Sequence, residues 1–476
     1  MSGRYIFTGV EELDNIIGGG FPKGGLILIS GNPGTGKTIF SARFLYRGAA
    51  DYGENGVYVS FSEDRETFYE NMKPFGFNFN QLEKEGRFRY LEMLATRELA
   101  IPHILEMILD EVNKIKAKRL VIDSFSAMAQ AFERPYDVRI LIHTVFSRIV
   151  RKVGCTTLMI IEVPFGEKRT GLGMEEFLAD GVIHFRARKL EERLYRDMQI
   201  RKIRGSIIKE EEVGFTIDGG FRVFPPFKTK RIEKKETFKP LPDPPGKFST
   251  GSEDLDQLLE GGYPKGSIAL LEVGRNVSTQ QYHLIIAPTA WNFLSKGAGV
   301  IVVPSSGVDY NIIWKKAVES GLPKEVLIRN LRVFTLRMLT THKEPYIVIF
   351  EGENMEEDFN RYLKVLTELR KETSKPILHI TGVERLIAHY GMNDTIKMLN
   401  LGATIIRENE SLNIFILKPG YPRISELLNA IADVHLKIIR EHGAVILYGL
   451  KPRTRLHFMQ MNVSKGYPLP RLTPIV

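Results

Sequence analysis

Residues 31–38 read GNPGTGKT, a complete phosphate-binding loop of the Gly-x-x-x-x-Gly-Lys-[Ser/Thr] type. The apolar run 26–30 before it predicts a buried strand, and residues 39–45 after it predict the opening of a helix. Gly31, Gly34 and Gly36 let the backbone approach phosphate oxygens, and the helix N-terminus adds partial positive charge. A strand, this loop and a helix in that order predict an α/β domain that binds a nucleoside triphosphate.

Each loop position is a candidate contact for the nucleotide: Gly31, Asn32, Pro33, Gly34, Thr35, Gly36, Lys37 and Thr38. In this motif the lysine, here Lys37, reaches the outer phosphates as a cation. The hydroxyl of Thr38 is placed to ligate Mg²⁺. We therefore expect ATP and Mg²⁺ as cofactors.

Size and composition indicate two globular domains. The chain has 476 residues, more than a single hydrophobic core accommodates, and 43% of them are hydrophobic. No apolar run approaches the ~20 residues of a membrane span. Cys155 is the single cysteine, which excludes an internal disulfide and suits a reducing cytoplasm; we expect it to be a small core side chain.

The formal charge of +9 does not decide the partner. An excess of basic residues is compatible with binding to nucleic acid or to other anions. However, the positive charge is concentrated in residues 186–204 and 228–239, and one basic strand plus a solvated linker would explain it equally well.

The chain contains an internal repeat. Residues 8–24, TGVEELDNIIGGGFPKG, and residues 250–266, TGSEDLDQLLEGGYPKG, are identical at ten of seventeen positions without a gap. Between the copies lies a stretch rich in proline and charge, which is typical of an extended linker. We predict domain one over residues 1–227, a linker over 228–246 and domain two over 247–476.

Strand and helix patterns alternate within domain one. Residues 57–61, 120–122 and 158–162 are predicted strands, and residues 40–50, 101–116 and 138–153 have helical spacing. Alternation of this kind predicts a mostly parallel sheet flanked by helices, with ligands at the carboxyl ends of the strands.

Two acidic residues follow predicted strands. Asp123 ends RLVIDS and is predicted to hold the Mg²⁺ shell, with Ser124 helping to orient it; the alternative is an acid that caps the next turn. Glu63 follows VYVSF, where a carboxylate could accept a proton from an attacking water. The alternative for Glu63 is an acid that favours a helix N-terminus.

Lys202 and Arg204 form a pair of cations two residues apart in QIRKIRG. On a strand this spacing places both on one face, about 7 Å apart. They could contact the γ-phosphate bound by a neighbouring subunit. The alternative is an exposed basic edge strand, which blocks unwanted pairing.

The combined order of motifs resembles the KaiC-like ATPases of the RecA superfamily. The motifs are the repeated segment, the phosphate loop, F-x-E after the next strand, an apolar strand ending in Asp-Ser, and K-x-R-G. The resemblance implies two tandem RecA-like domains, ATP bound between subunits and hexameric rings. It assigns Lys37, Thr38 and Asp123 to phosphate and Mg²⁺, and Lys202 with Arg204 to a neighbour's nucleotide. The family usually has two consecutive glutamates where this chain has Ser62–Glu63, which lowers the expected rate of hydrolysis.

Domain two is predicted to retain the fold without the nucleotide chemistry. Its loop region reads EVGRNVSTQQ, so Lys37 aligns with Thr279 or Gln280, and Thr381 stands where the acid is expected. Echoes of domain one remain at residues 432–433, aligned with 179–180, and at residues 451–453.

A weaker resemblance links the chain to archaeal gas-vesicle regulators of the GvpD type, through one active lobe, an Arg-rich segment and similar length. That resemblance implies P-loop proteins that act on a transcription activator, and it favours regulation and a protein partner. The leading hypothesis is an ATP-binding regulatory switch. A DNA-dependent ATPase of the RecA or DnaB type is less favoured, with residues 167–173 as its single candidate DNA loop, and a non-hydrolysing ATP-bound scaffold is a third possibility.

Overall fold

The computed structural model describes residues 3–93, 101–126, 153–164, 178–336 and 344–476. It divides into two compact units, of which the first comprises Met1–Pro226 with His442–Ala444 and Pro474–Val476. The second unit comprises Phe227–Glu441 and Val445–Thr473, so the predicted linker is counted with it. Within the described residues no helix is long and apolar enough to cross a membrane.

The first unit alternates strands and helices. Its helices are α1 (Glu11–Ile16), α2 (Lys37–Tyr52), α3 (Arg65–Met72), α4 (Phe79–Lys84) and α5 (Ile101–Lys114), with a 3-10 turn at Lys73–Phe75. Its strands are β1 (Tyr5–Ile6), β2 (Phe21–Pro22), β3 (Leu26–Gly31), β4 (Gly56–Ser60), β5 (Phe88–Glu92), β6 (Arg119–Asp123), β7 (Thr156–Glu162), β8 (Gly181–Leu190), β9 (Arg193–Ile203), β10 (Glu212–Thr216) and β11 (Arg222–Phe224). The predicted strands and two of the predicted helices are confirmed to within a few residues, while residues 138–152 of the third lie outside the described part.

Nine of these strands form one sheet in the order β11-β10-β9-β8-β3-β7-β6-β4-β5. The pairs from β8 to β5 are parallel, and β9, β10 and β11 extend the sheet with antiparallel pairing. Apolar side chains on both faces of the sheet are buried under helices, as in α/β folds of the doubly covered type. As predicted, Cys155 is buried in this core, and burial raises its pKa to about 12.

The second unit repeats this plan. Its helices are α6 (Glu253–Leu258), α7 (Thr279–Ser295), α8 (Tyr310–Glu319), α9 (Lys324–Asn330), α10 (Met355–Thr373), α11 (Val383–Glu408) and α12 (Pro422–Ile431). Its strands are β12 (Lys247–Phe248), β13 (Tyr263–Pro264), β14 (Ser267–Val273), β15 (Val300–Val303), β16 (Leu331–Leu336), β17 (Ile347–Phe350), β18 (Leu378–Gly382), β19 (Leu412–Leu417), β20 (Val434–Glu441), β21 (Ala444–Lys451), β22 (His457–Asn462) and β23 (Leu469–Pro474).

The two large sheets have the same strand order. The second sheet reads β17-β16-β15-β18-β19-β14-β20-β21-β22-β23, which matches the first sheet strand for strand once the added edge strand β17 is set aside. The sequence prediction of two RecA-like domains, each with a mostly parallel sheet flanked by helices, is confirmed.

Equivalent hydrogen bonds explain why the repeated segments share their aspartates. Asp14 accepts from the amide of Thr8 at 2.8 Å, and Asp256 accepts from the amide of Thr250 at 2.6 Å. The Ala-Asp pair shared by residues 179–180 and 432–433 has a similar role. Asp180 accepts from the amide of Leu26 at 3.1 Å, and Asp433 accepts from that of Ile268 at 2.9 Å. Each carboxylate satisfies a backbone N–H near the start of a helix or central strand, where an unpaired donor would be costly.

Arg119 is a fully buried cation at the start of β6. Its Nε donates to the carboxylate of Glu54 at 2.7 Å, and its Nη1 donates to the carbonyls of Phe44 and Phe7 at 2.7 and 2.9 Å. The guanidinium also lies 4.5 Å from the centroid of the Phe44 ring. A Cβ at Gly48 would come within 2.3 Å of the Arg119 side chain, so the absence of a side chain at Gly48 leaves room for the guanidinium. Arg119 thereby ties α2 to the start of β6, at the end of the sheet opposite the nucleotide loop.

Replacing Arg119 with methionine is expected to lower the free energy of unfolding by about 3 kcal/mol, because Glu54 and two carbonyls would lose their donor. Urea denaturation of the full chain measures the change. Arg87→Met is the matched control, since Arg87 is half exposed and its ion pair with Glu85 spans 3.6 Å. The control should lower the free energy of unfolding by less than about 1 kcal/mol. Equal losses in the two variants would contradict the role given to Arg119.

Candidate nucleotide-binding site

The phosphate-binding loop lies between the buried strand β3 and the start of α2. Gly31 closes β3 with φ 154°, and a Cβ there would lie 2.4 Å from the carbonyl oxygen of Phe185. Gly36 has φ 98° and precedes α2 without offering a side-chain cap. The first N–H groups of α2 therefore have no capping side chain from this position, and they can donate to an anion. The loop geometry supplies a cradle of the kind that the motif predicts.

Lys37 is buried at the base of this loop, with 6% of its surface exposed. Its Nζ donates to the carbonyl oxygens of Gly31 and Asn32, both at 2.8 Å. Burial lowers the pKa of Lys37, while the negative charges of Glu162 and Asp123 raise it. The ammonium is thus held at the loop by two carbonyl oxygens and two nearby carboxylates.

Thr38 and Asp123 meet beside the loop. The hydroxyl of Thr38 donates to Asp123 Oδ2 at 2.9 Å, although 85 residues separate them. The hydroxyl of Tyr58 donates to the same oxygen at 2.5 Å. Burial raises the pKa of Asp123, while the hydrogen bonds from Tyr58 and Thr38 and the charge of Lys37 lower it. Ser124, the next residue, is buried at the end of β6.

These oxygen donors fit a magnesium ion. Mg²⁺ prefers oxygen ligands and is usually held by one or two carboxylates together with phosphate oxygens. The hydroxyl of Thr38 and the carboxylate of Asp123 are such donors, and they lie beside the loop that would hold the phosphates. No group of three or more His, Cys, Asp or Glu side chains in the described residues could hold a metal by itself.

Glu63 lies just past the carboxyl end of β4. Asn71 donates to its Oε1 at 2.6 Å, and the hydroxyl of Tyr90 donates to its carbonyl oxygen at 2.8 Å. Burial raises the pKa of Glu63, the bond from Asn71 lowers it, and the charge of Asp123 raises it. The N-cap role belongs to the next residue, since Asp64 accepts from the amide of Thr67 at 2.8 Å and α3 begins at Arg65. Glu63 is therefore a fixed carboxylate outside that helix, on the same sheet edge as Asp123.

Two further residues at the loop escaped the sequence analysis. Glu162 ends β7 in register with Gly31, and its charge acts on both Lys37 and Asp123. The pattern of an apolar strand ending in an acid, LMIIE, was the available signal. Arg196 of β9 donates through Nη1 to the carbonyl of Gly34 at 2.8 Å. Its place within a long basic stretch gave no signal of this contact.

Lys202 and Arg204 lie at the opposite end of the sheet from the loop of their own chain. Lys202 pairs with Val182 near the start of β8, and Gly181 pairs with Ile27 near the start of β3, whereas the loop follows the end of β3. Arg204 forms an ion pair with Asp180, with 2.9 Å between Nη1 and Oδ1. Strand β9 pairs with β8 along its length, but β10 pairs with it only at residues 197–199, so the alternative interpretation of Lys202 on a basic edge strand stays a prediction. Within one chain, the pair is not part of the nucleotide site.

The second unit differs at each equivalent position. Helix α7 begins with Thr279, where α2 begins with Lys37, and Ser278 and Gln281 form a capping box in which Gln281 Oε1 accepts from the amide of Ser278 at 2.8 Å. The N-terminus of α7 is thus capped by its own side chains, in contrast to α2. Thr381 lies next to the end of β18, the strand equivalent to β6, and its hydroxyl lies 3.1 Å from Asn413 Oδ1.

A carboxylate also replaces a hydroxyl near the end of the central strand. In the first unit, Ser30 lies 3.0 Å from the Nδ1 of His184 on the neighbouring strand. Glu272 takes the equivalent place in the second unit, in register with Lys437, whose Nζ lies 3.1 Å from its carboxylate. Burial by itself would raise the pKa of Glu272, but hydrogen bonds from His435 and Ser425 lower it to about 2. The second unit thus holds an ion pair where the first unit has a hydroxyl.

The strand order, the loop and the adjoining carboxylate are those of a RecA-like P-loop domain. A sequence profile of the ATPase family described as KaiC matches residues 6–227. A second profile, described as GvpD basic region 2, matches residues 237–335. The first part of the chain is thus similar to KaiC-like ATPases, and the part that follows is similar to GvpD basic region 2.

Individual relatives agree with this assignment. The circadian clock oscillator protein KaiC of Thermostichus vulcanus is 32% identical over 275 residues, which are 56% of this chain and 51% of that protein. The KaiC of Synechococcus elongatus is 31% identical over 272 residues, 55% of this chain and 51% of that protein. The chain thus spans about half the length of these clock proteins.

Protein GvpD2 of Halobacterium salinarum is similar over nearly the whole chain. It is 25% identical over 489 residues, which cover 94% of this chain and 93% of GvpD2. Among solved structures, a KaiC-like protein from the archaeon Pyrococcus horikoshii is 35% identical, covering 47% of this chain and 99% of that one, with a TM-score of 0.43.

Proposed function

We propose that the chain is a magnesium-dependent ATPase that acts as a nucleotide-controlled regulatory switch in the cytoplasm, with one site per chain. The observation that carries this proposal is the hydrogen bond between Thr38 and Asp123, which brings the phosphate loop and the second acid to one place. Lys37 is buried beside them. A cation, a hydroxyl and a carboxylate in this arrangement suit a bound triphosphate and its metal ion.

In the proposed reaction each side chain has a separate task. Lys37 neutralises charge on the outer phosphates, and Thr38 and Asp123 would hold Mg²⁺, which supplies further neutralisation of that charge when bound. Glu63 orients the attacking water and accepts its proton. Its raised pKa makes it a better proton acceptor than an ordinary exposed glutamate. With a single carboxylate at this place, we expect hydrolysis to be slow.

The proposal includes a neighbouring subunit. Lys202 and Arg204 lie at the end of the sheet away from their own loop, so a role at a nucleotide requires the site of another chain. The resemblance to KaiC-like ATPases supports a homo-oligomeric ring, with a hexamer favoured. In such a ring ATP would control assembly through contacts on both sides of the nucleotide.

Similarity to GvpD2 across 94% of this chain, together with the GvpD basic region at residues 237–335, supports a regulatory role with a protein partner. The DNA-dependent ATPase alternative has no such support, and its candidate loop, residues 167–173, lies outside the described residues. The scaffold alternative differs from the proposal in one measurable respect, because a scaffold would not turn ATP over.

Glu63→Gln tests the proposed chemistry. The amide cannot accept a proton, so we expect turnover to fall by about 100-fold or more. The Kd for Mg²⁺-ATP should stay within about twofold, because the carboxylate of Glu63 is held by Asn71 rather than by the loop. Phosphate release and calorimetric titration measure the two effects on the full chain.

Glu66→Gln is the matched control, since Glu66 is an exposed acid in the first turn of α3. It should turn over ATP at the parent rate. Parent-like hydrolysis by Glu63→Gln would show that another group activates the water. No turnover by the parent chain itself would favour the scaffold.

A further inference from the structure

A cavity of about 400 Å³ lies within the second unit, along α7 from Gln280 in its first turn to Trp291. Its walls are one face of α7, the start of the predicted linker, the end of α8 and two residues near β22 and β23. This volume lies within the range of small-molecule sites.

Residues 229–238, here called the strap, are anchored at both ends across α7. At one end, the hydroxyl of Thr229 donates to Gln280 Oε1 at 3.0 Å. At the other end, Phe238 is buried against the rings of Trp291 and Tyr467, and its amide donates to the carbonyl of Ser320 at 2.7 Å. The cavity lies between these anchors, so the strap forms a fixed wall.

The charge of the cavity is strongly positive. Four cations line it, namely Lys230, Arg231 and Lys235 from the strap and Lys316 from α8. Glu319, the single acid among the described lining residues, pairs with Lys316 at 2.8 Å. Within the described part of the chain, the side chains of the three strap cations have no hydrogen-bond or ion-pair partner. All three are exposed to solvent, and together they would attract an anionic ligand to this cavity.

His283 is a buried polar side chain in the wall of this cavity, with 5% of its surface exposed. Its ring nitrogens make no hydrogen bond with any described residue. Burial and the charges of Lys316 and Lys418 lower its pKa to about 3, so the imidazole is neutral and carries one N–H donor. The ring nitrogens retain some access to solvent, so a ligand acceptor in the cavity can reach the N–H.

The cavity adjoins an apolar recess. A smaller cavity of about 50 Å³ shares four lining residues with it and is otherwise walled largely by aliphatic side chains. The shared residues are His283, Ala287, Trp291 and Lys316. A ligand that fits both parts would combine an anionic group with an apolar or aromatic body.

We propose that this cavity binds a small organic phosphate, whose phosphate group contacts Lys230, Arg231 and Lys235 and accepts a hydrogen bond from His283. The site is separate from the P-loop and does not depend on the function proposed for it.

The test uses the full-length Lys37→Ala chain, in which P-loop binding is disabled, titrated calorimetrically with AMP and with pyrophosphate in chloride buffer. We expect AMP to bind with a Kd below about 1 mM. Lys230→Ala/Arg231→Ala should weaken binding at least about tenfold, and His283→Phe should weaken it by about threefold or more because the N–H donor is lost.

Lys234→Ala is the matched control, because Lys234 belongs to the same strap but pairs with Glu236 at 2.9 Å and does not line the cavity. It should leave AMP binding unchanged. Pyrophosphate binding that responds to the same variants also supports the site and shows that the head group suffices. The proposal is overturned if neither phosphate binds, if Lys234→Ala weakens binding as much as the double variant, or if hexaglutamate binds where the phosphates do not. The last result would identify the cavity as a site for acidic peptide.

Discussion

Lys37→Ala is expected to abolish Mg²⁺-ATP binding by the whole chain. The Nζ of Lys37 is the buried cation of the loop, and its removal leaves the loop carbonyls and the nearby charges of Glu162 and Asp123 facing the phosphates. We expect the Kd to rise at least about 100-fold, because charge-assisted contacts to phosphate are among the strong ones. Calorimetric titration of the full chain should give one site in the parent and none in the variant.

The same titration tests whether the second unit binds ATP. Thr279→Ala is the matched control, since Thr279 stands at the start of α7, where the alignment places the counterpart of Lys37. It should bind ATP as the parent does. Residual stoichiometric Mg²⁺-ATP binding by Lys37→Ala would place a second site in residues 247–476 and refute the prediction that this domain is degenerate.

Mixing two inactive variants is expected to restore ATP turnover. Lys202→Ala/Arg204→Ala should reduce turnover by about 10³-fold, the lower end of the effects measured for cations supplied by a neighbouring subunit. Lys37→Ala chains retain the cation pair, and Lys202→Ala/Arg204→Ala chains retain the loop. In a ring assembled from equal amounts, about one quarter of the interfaces would join an intact loop to an intact pair. Phosphate release from the mixture should therefore exceed that of either variant alone.

Arg201→Ala is the control for this experiment, because Arg201 is an exposed cation of the same strand to which no motif assigns a nucleotide contact. It should keep the parent rate. A mixture that stays as inactive as its components, while rings form and exchange subunits, would show that the pair acts within its own chain or has a structural role, such as the ion pair of Arg204 with Asp180.

The nucleotide loop and its second acid were predictable because their signals are local. Gly31, Gly36 and Lys37 act through backbone conformation and a strand-loop-helix context that a short segment specifies. Asp123 was predictable because an apolar strand carries its terminal residue to the ligand edge of a parallel sheet. The repeat was also visible directly, and the common strand order of the two sheets agrees with it.

The remaining site residues depend on contacts between distant segments. Glu162 matters because β7 lies beside β3, and Arg196 matters because β9 brings it to Gly34; neither pairing can be read from spacing. The choice between Glu63 and Asp64 as the helix-capping acid also needed coordinates, since adjacent acids have the same sequence signal.

The sequence by itself determined the fold class, the duplication and the position of the loop with Lys37, Thr38 and Asp123, because these depend on local backbone preferences and on strand ends. Only the tertiary structure decided that Lys202 and Arg204 lie away from their own loop, and that the strap encloses a basic cavity on α7. The physical reason is the distance along the chain over which each kind of interaction acts. Hydrogen bonding and periodicity specify elements over a few residues, whereas sheet register and packing decide which distant side chains share one environment.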